Sequence, residues 1–469
     1  MRGLPLLLLP LLLACSGADS GADDFASDEG ELVDPAAPRG KATVAYAVAG
    51  RPDEICVVPD HIAGADYGKG DGDDEKELCS YNFHGTAPGK SVATCPKLVS
   101  TNPGVDIQEL ADGKTKEQTE AATCAHDEGR TKLLAKYKQS ITCSYTPSIL
   151  GYYHVSRALG GAGDVLPAVV RTMDLEEHKK ITAVGVAHST DLLNQLWRQW
   201  ASWEANPSNP RYQDALFTKD HLQIYGALQM NARGEEKYVD PITGKSLNVR
   251  GATDFSAPFR ATAAYAAVKD ARPVGTWVPR TLEGGAQRIV QMKDISDMVL
   301  IDTLMAQQDR FGNIHSVDYY YSVENGAVKK VKKSKVDSGE KPMPAGGVLV
   351  RQMLLKDNDC GVVKTNIEKQ AGMLGELRHM SAATYKHLRW LNGQMAPGSE
   401  TAKLFVREVL MTQRDLDMLR ANIADAERVL HTACSAGTLK LDLDLEDHLA
   451  SHNDHDASIC EAAEAPASP

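Results

Sequence analysis

Asp309, Asn313, Asp357 and Asp359 are the side chains whose types, order and spacing in this chain suit a single chemistry. Transfer of a phosphoryl group to a hydroxyl needs an aspartate to receive or orient the hydroxyl proton. It also needs hard oxygen ligands for Mg²⁺, an Asn a few residues on and an Asp from a later strand. Asp309-Arg310-Phe311-Gly312-Asn313 offers the first pair, and Lys356-Asp357-Asn358-Asp359-Cys360-Gly361 offers the second. The elements that must position them can be read on either side. Ile295, Met298, Ile301 and Met305 recur at three and four, which predicts a core-facing helix over 294–307 running directly into Asp309. Two strand-like stretches, 317–324 and 327–331, flank Asn325-Gly326, whose residues accept the two positive φ angles of a type I′ hairpin turn. The apolar run 348–355 then reads as a buried strand that ends at Asp357. The hairpin folds the chain back, so Asn313 and the later carboxylates can share one cleft.

Further upstream, 132–138 reads as a short strand, and Pro147 opens a helix to Leu159 that Gly160, Gly161 and Gly163 stop. A strand over 165–171 follows. The segment 41–50 alternates like a strand, whereas 51–125 is rich in Gly, Pro, Asp and Cys and reads as loop-dominated. Leu193, Leu196, Trp197 and Trp200 line one side of an amphipathic helix over 192–203. Residues 204–285, punctuated by Pro, Gly and Asn, read as an insertion with short elements. Thr412 is the expected N-cap of a last long helix, with Leu416, Leu419, Ile423, Ala426 and Leu430 on its core face and Gly437 at its end.

Four of these pieces resemble the lipid-kinase-like branch of the protein-kinase superfamily, which includes the secreted Golgi casein kinases. Asp309-Arg310 with Asn313 looks like that branch's catalytic loop, and Leu354-Leu355-Lys356-Asp357-Asn358 like its metal-binding segment. Leu133-Leu134-Ala135-Lys136-Tyr137-Lys138 is similar to the strand whose lysine holds nucleotide phosphates. Tyr152 to Gly160, followed by Val165-Leu166-Pro167, is similar to the helix and strand that come next. The resemblance implies a two-lobed kinase-like α+β fold, with Asp309 as catalytic base, Asn313 and Asp357 as Mg²⁺ or Mn²⁺ ligands, and Lys136 or Lys138 on the phosphates of ATP. Asp359, which precedes Cys360-Gly361, stays open as an alternative metal ligand. The family's Glu partner for the strand lysine has no counterpart in 148–159, so that lysine's partner is also open.

The termini point to export. Residues 4–13 form an apolar run shorter than the roughly 20 residues that span a bilayer, behind Arg2, and read as the core of a signal peptide. Leu12-Leu13-Ala14-Cys15 resembles a lipobox, which makes Cys15 the expected lipidation site, and Ser16 after it resembles an outer-membrane address. Residues 15–40 are then an acidic tether. Beyond Cys15 the chain has eight cysteines, five of them between 56 and 143, with no Cys-x-x-Cys pair. Disulfides formed in an oxidising space are expected, with connectivity open.

Composition narrows the partners. With 51 Lys+Arg against 63 Asp+Glu the net charge is −12, which disfavours a phosphate-backbone binder, so no nucleic-acid partner is expected. The 42% apolar and 24% charged residues are globular values, which exclude a multi-span membrane protein. Gly85-Thr86-Ala87-Pro88-Gly89-Lys90-Ser91 is one residue short of a phosphate-binding Walker loop and reads as an ordinary loop. Asp71, Asp73, Asp74 and Glu75 lack the Gly and Glu positions of a calcium loop and read as a solvated turn. His448, His452 and His455 fall in an acidic tail, 446–469, expected to be disordered. Lys329, Lys330, Lys332, Lys333 and Lys335 form the densest basic run, a solvated strand edge or an attractor for an acidic substrate or lipid headgroup.

The expected organisation is a signal peptide over 1–14, the tether over 15–40, and a disulfide-rich N-terminal lobe over 41–175. A mostly helical C-terminal lobe over 176–445 and the tail complete it. The expected function is an exported, lipid-anchored phosphotransferase at the outer membrane or cell surface, acting on an unknown protein or lipid acceptor. A non-catalytic surface-binding lipoprotein that reuses the fold is the alternative.

Overall fold

The computed structural model describes residues 40–85, 89–126, 128–211, 216–362, 372–452 and 460–461. Cys15, the signal peptide and nearly all of the tether lie outside these residues. Seven strands build one sheet: β1 (Ala42–Tyr46), β2 (Glu54–Val58), β3 (Ala93–Pro96), β4 (Val105–Gln108), β5 (Leu133–Lys138), β6 (Ala168–Asp174) and β7 (Gln223–Met230). They lie in the order β1-β2-β6-β7-β5-β4-β3, and every neighbouring pair is antiparallel. The two-residue period of a strand divides its side chains between two cores. Cys56, Val58, Val169 and Met173 enter one, whereas Ile55, Val57, Ala168 and Val170 enter the other.

The first core is closed by α1 (Lys69–Leu78) and the pair α4 (Leu175–His188) and α5 (Asp191–Glu204), with Trp197 and Trp200 fully buried, while α2 (Lys116–Thr123) packs on β3. The second holds α3 (Thr146–Ala158), α6 (Leu282–Leu304), α7 (Ala382–Gln394) and α8 (Gln413–Ser435). Pro147 near the start of α3 fits because the first turn has no carbonyl waiting for its missing N–H. Thr281 and Thr412 cap α6 and α8 by accepting from Gly284 N and Asp415 N.

A second antiparallel sheet centres on β8 (His315–Glu324), flanked by β9 (Ala327–Lys332) and β10 (Val348–Leu354). Asn325 and Gly326 join β8 to β9 at φ 53° and 83°, the type I′ geometry. Pairing of Ser316 with Met353 and His315 with Leu354 puts the end of β10 beside the loop that precedes β8. The catalytic-loop candidate and the Asp357 turn therefore meet.

Three expectations are corrected. The 51–125 stretch is not loop-dominated; it supplies β2, α1, β3, β4 and α2. The insertion expected over 204–285 contains β7, a strand in the middle of the large sheet, so that sheet continues past the lobe boundary expected at 175. Gly226 hid this strand from a pattern reading, and packing explains it: a side chain there would run into the Lys138 carbonyl of β5. The acidic tail is held at Cys460, which is buried and bonded to Cys434, and His448 is buried against the Pro279 carbonyl.

All eight cysteines beyond Cys15 are paired, as Cys56–Cys79, Cys95–Cys124, Cys143–Cys360 and Cys434–Cys460. The chain is thus a mixed α/β protein with four disulfides, which fits an oxidising compartment. Among the described residues no helix is long and apolar enough to cross a membrane.

Candidate active site

Lys136 and Lys138 are two apart on β5 and so lie on the same side of the strand. The Lys138 ammonium lies 2.9 Å from Asp359 Oδ2 and 3.3 Å from Asp357 Oδ1. Burial works against its charge, but Asp359 and Asp357 outweigh burial and hold it above its ordinary range. Lys138 thus has two carboxylate partners, neither of them on α3. Lys136 forms no ion pair with either, and burial together with Lys356 lowers its ammonium.

Asp357 turns the chain at φ 52°, a left-handed conformation that costs a non-glycine residue roughly 1–2 kcal/mol. Burial opposes its charge, yet Lys138, Lys356, Lys136 and Lys97 together hold it well below the usual carboxylate range. The turn is tied down from several directions. Leu355 N donates to Gly163 O at 2.9 Å, Tyr145 N to Asp359 O at 2.8 Å, and Ser148 Oγ to Asn358 O at 2.6 Å. Gly163 supplies a positive φ of 76° where a side chain would strike Leu355. The Cys143–Cys360 bridge joins the segment after β5 to the residue after Asp359.

Asp309 and Asn313 form the second half. Asn313 Nδ2 donates to Asp309 O at 2.8 Å and to Asp309 Oδ2 at 3.2 Å, while Arg250 Nη1 meets Asp309 Oδ1 at 2.7 Å. Burial pushes the Asp309 carboxyl up against the pull of Arg250, and Asp359 and Asp357 add to the rise. Asp309 thus shares a field with the other two carboxylates. Arg310 couples the halves: fully buried, it bonds Asp302 through Nε (2.7 Å) and Nη2 (3.0 Å), the Lys356 carbonyl through Nη1 (2.7 Å) and Asn358 Oδ1 through Nη2 (2.6 Å). Tyr152 of α3 donates to the same Asp302 at 2.6 Å. A charge-assisted network of this kind sets the loop and the turn in register.

Among the described residues no three His, Cys, Asp or Glu side chains converge on one point. The donor set nevertheless suits a hard cation, because two carboxylates already share one cationic group, Lys138, and the carbonyl end of the Asn313 amide is not used in its bonds to Asp309. Pattern reading missed Lys97, Asp302, Arg250 and Ser148. None lies in a motif, and each reaches the site only through the tertiary fold. The calcium-loop candidate is helical instead: in α1, Asp71 pairs with Arg157 at 2.7 Å and Glu75 is buried under Tyr153 and His61. The basic run is partly neutralised, with Lys333 on Asp337 and Lys335 on Glu340.

No protein-family model matches the chain, and no curated protein does. Among solved structures it is similar to the Golgi casein kinase (TM-score 0.41, 12% identity, 79% of this chain and 78% of that one). It is also similar to the Golgi casein kinase with Mn/ADP bound (TM-score 0.40, 11% identity, 78% and 76%) and to hydra Fam20 with sugar (TM-score 0.40, 11% identity, 76% and 88%).

Proposed function

We propose that this chain is a kinase-like phosphotransferase that uses a nucleotide and a divalent metal, with its site divided between the two halves described above. The observation that carries the reading is the contact of Lys138 with both Asp357 and Asp359, across 219 and 221 residues of sequence. It joins the strand, the helix, the loop and the turn in the order that the resemblance implies. Asp357 and Asp359, with the Asn313 carbonyl, are the residues to hold Mg²⁺ or Mn²⁺. A cation bound there would neutralise charge on the phosphates of ATP. Lys138 orients those phosphates. Asp309, its carboxyl raised by burial, receives the proton of the acceptor hydroxyl, a task for which a carboxyl above its ordinary pKa is the stronger base.

Export through the 4–13 apolar run, anchoring at Cys15 and residence at the outer membrane or cell surface belong to the same proposal. The lipobox-like residues and the four disulfides support it. The two-lobed arrangement belongs here too, supported by the seven-stranded sheet and the helical core that follows it. One observation favours the non-catalytic alternative: Arg250 and the Asn313 amide both engage the Asp309 carboxylate, which a base must have free.

The test separates binding from transfer. Asp357→Ala should lose the Mg²⁺-dependent part of nucleotide affinity, whereas Asp309→Asn should bind nucleotide and transfer no phosphate, falling at least a hundredfold in turnover. Binding by the wild type without turnover, on any acceptor or water, would leave the binding lipoprotein as the account.

A further inference from the structure

Four lysines crowd the Asp357–Asp359 turn, and they are not equivalent. Lys138 is bonded to both aspartates and Lys356 to Glu235. Lys97 and Lys136 have no carboxylate within ion-pairing distance among the described residues, although both feel the charge of Asp357. With Asp309 matched by Arg250 and Asp106 by Arg130, four ammonium groups against Asp357, Asp359 and Glu235 leave one positive charge in excess before any divalent cation is added. Ammonium groups gathered around one turn repel one another, and anionic oxygens bound among them would relieve that repulsion.

Lys97 is placed for this by the fold. It opens the turn 97–104 between β3 and β4, where Lys97 N donates to Gly104 O at 2.9 Å and Trp197 Nε1 donates to Lys97 O at 3.2 Å. A Cβ at Gly104 would lie 3.3 Å from Lys97 Cδ and 3.7 Å from Lys138 Cγ. The bare glycine thus lets the Lys97 stem lie across the turn alongside Lys138. Burial, with repulsion from Lys138 and Lys136, brings the Lys97 ammonium down to about 8. A bound anion would offset both effects.

We propose that Lys97, with Lys136, forms a second phosphate-binding pole beside the Lys138–Asp357–Asp359 centre, so that the site takes a chain of three phosphates in preference to a shorter one. The inference rests on the reading of that centre as a phosphate site. The chain can be carried by a nucleoside or be inorganic tripolyphosphate, since the lysines recognise only its oxygens.

Calorimetric titration of the purified protein with ATP, ADP, tripolyphosphate and pyrophosphate, each with Mg²⁺, tests it. Wild type should bind ATP and tripolyphosphate about tenfold more tightly than ADP and pyrophosphate. Lys97→Ala should lose about tenfold on the longer chains and less on the shorter ones. Lys97→Arg should keep most of the discrimination, which excludes a general folding effect. If Lys97→Ala binds the longer chains as wild type does, the second pole is wrong while the centre stands. If tripolyphosphate binds in a Lys97-dependent way and ATP does not bind, the pole stands and the nucleotide reading falls. If wild type binds neither, both fall.

Discussion

Asp357 combines a left-handed backbone with the charge of four lysines around it, and the two together mark it as the residue that the turn is built to present. Its neighbour Asp359 completes the pair from an unstrained position. Sequence could not tell Lys136 from Lys138, because a period of two places both on one face; the contact that sets Lys138 apart comes from a turn more than 200 residues away. His154, away from the site on α3, carries a testable charge effect of its own. Its Nδ1 is hydrogen-bonded to Tyr67 OH at 2.6 Å, and burial, helped by His61 and Arg157, lowers its pKa to about 3. A histidine depressed in the folded state binds its proton in the unfolded chain first, so stability falls as pH drops below 6.5 and goes on falling toward 3. The slope should approach about 1.4 kcal/mol per pH unit from this residue. Urea melts at pH 7, 6, 5 and 4 should show this loss, and His154→Gln should flatten it. An unchanged slope in the variant would remove His154 as the cause.

Among the elements, those with a strong internal pattern were legible in the sequence: β5, α3, the second half of α6, the β8–β9 hairpin, β10 and α8. They include each element that carries a motif residue. What escaped was decided by contacts rather than by pattern. β7 carries Gly226 in its middle because β5 approaches too closely for a side chain, and α1 looked like an acidic turn because its Asp71 and Glu75 meet Arg157, Tyr153 and His61 only in the folded chain. The pairing of Cys143 with Cys360 was equally out of reach. Three bridges close sequence separations of 23, 29 and 26 residues, and this one spans 217. It fixes the exit of β5 to the Asp359 turn, so its loss should act on the site as well as on stability. Cys143→Ser with Cys360→Ser should cost about 2–4 kcal/mol in a urea melt and weaken Mg²⁺-dependent nucleotide binding. Cys434→Ser with Cys460→Ser should cost stability and leave that binding as it was. Equal effects of the two pairs on binding would show that the Cys143–Cys360 bridge has no particular hold on the site.

At the scale of the whole molecule, a chain of net charge −12 keeps four lysines around one turn. Screening at physiological salt acts over about 8 Å, so a ligand in the site feels the charges close to it more than the net charge of the chain. The overall acidity that disfavours nucleic acid is therefore compatible with a site for polyanions. Whether Lys138, Asp357 and Asp359 form the proposed metal-dependent nucleotide site is tested by calorimetric titration of ATP into wild type, Lys138→Ala and Lys136→Ala, with and without Mg²⁺. Wild type should bind ATP only when the metal is present, Lys138→Ala should lose tenfold or more of that affinity, and Lys136→Ala should lose less. Absence of binding at millimolar ATP with either Mg²⁺ or Mn²⁺, or binding that Lys138→Ala leaves unchanged, would mean that these three residues form no nucleotide site.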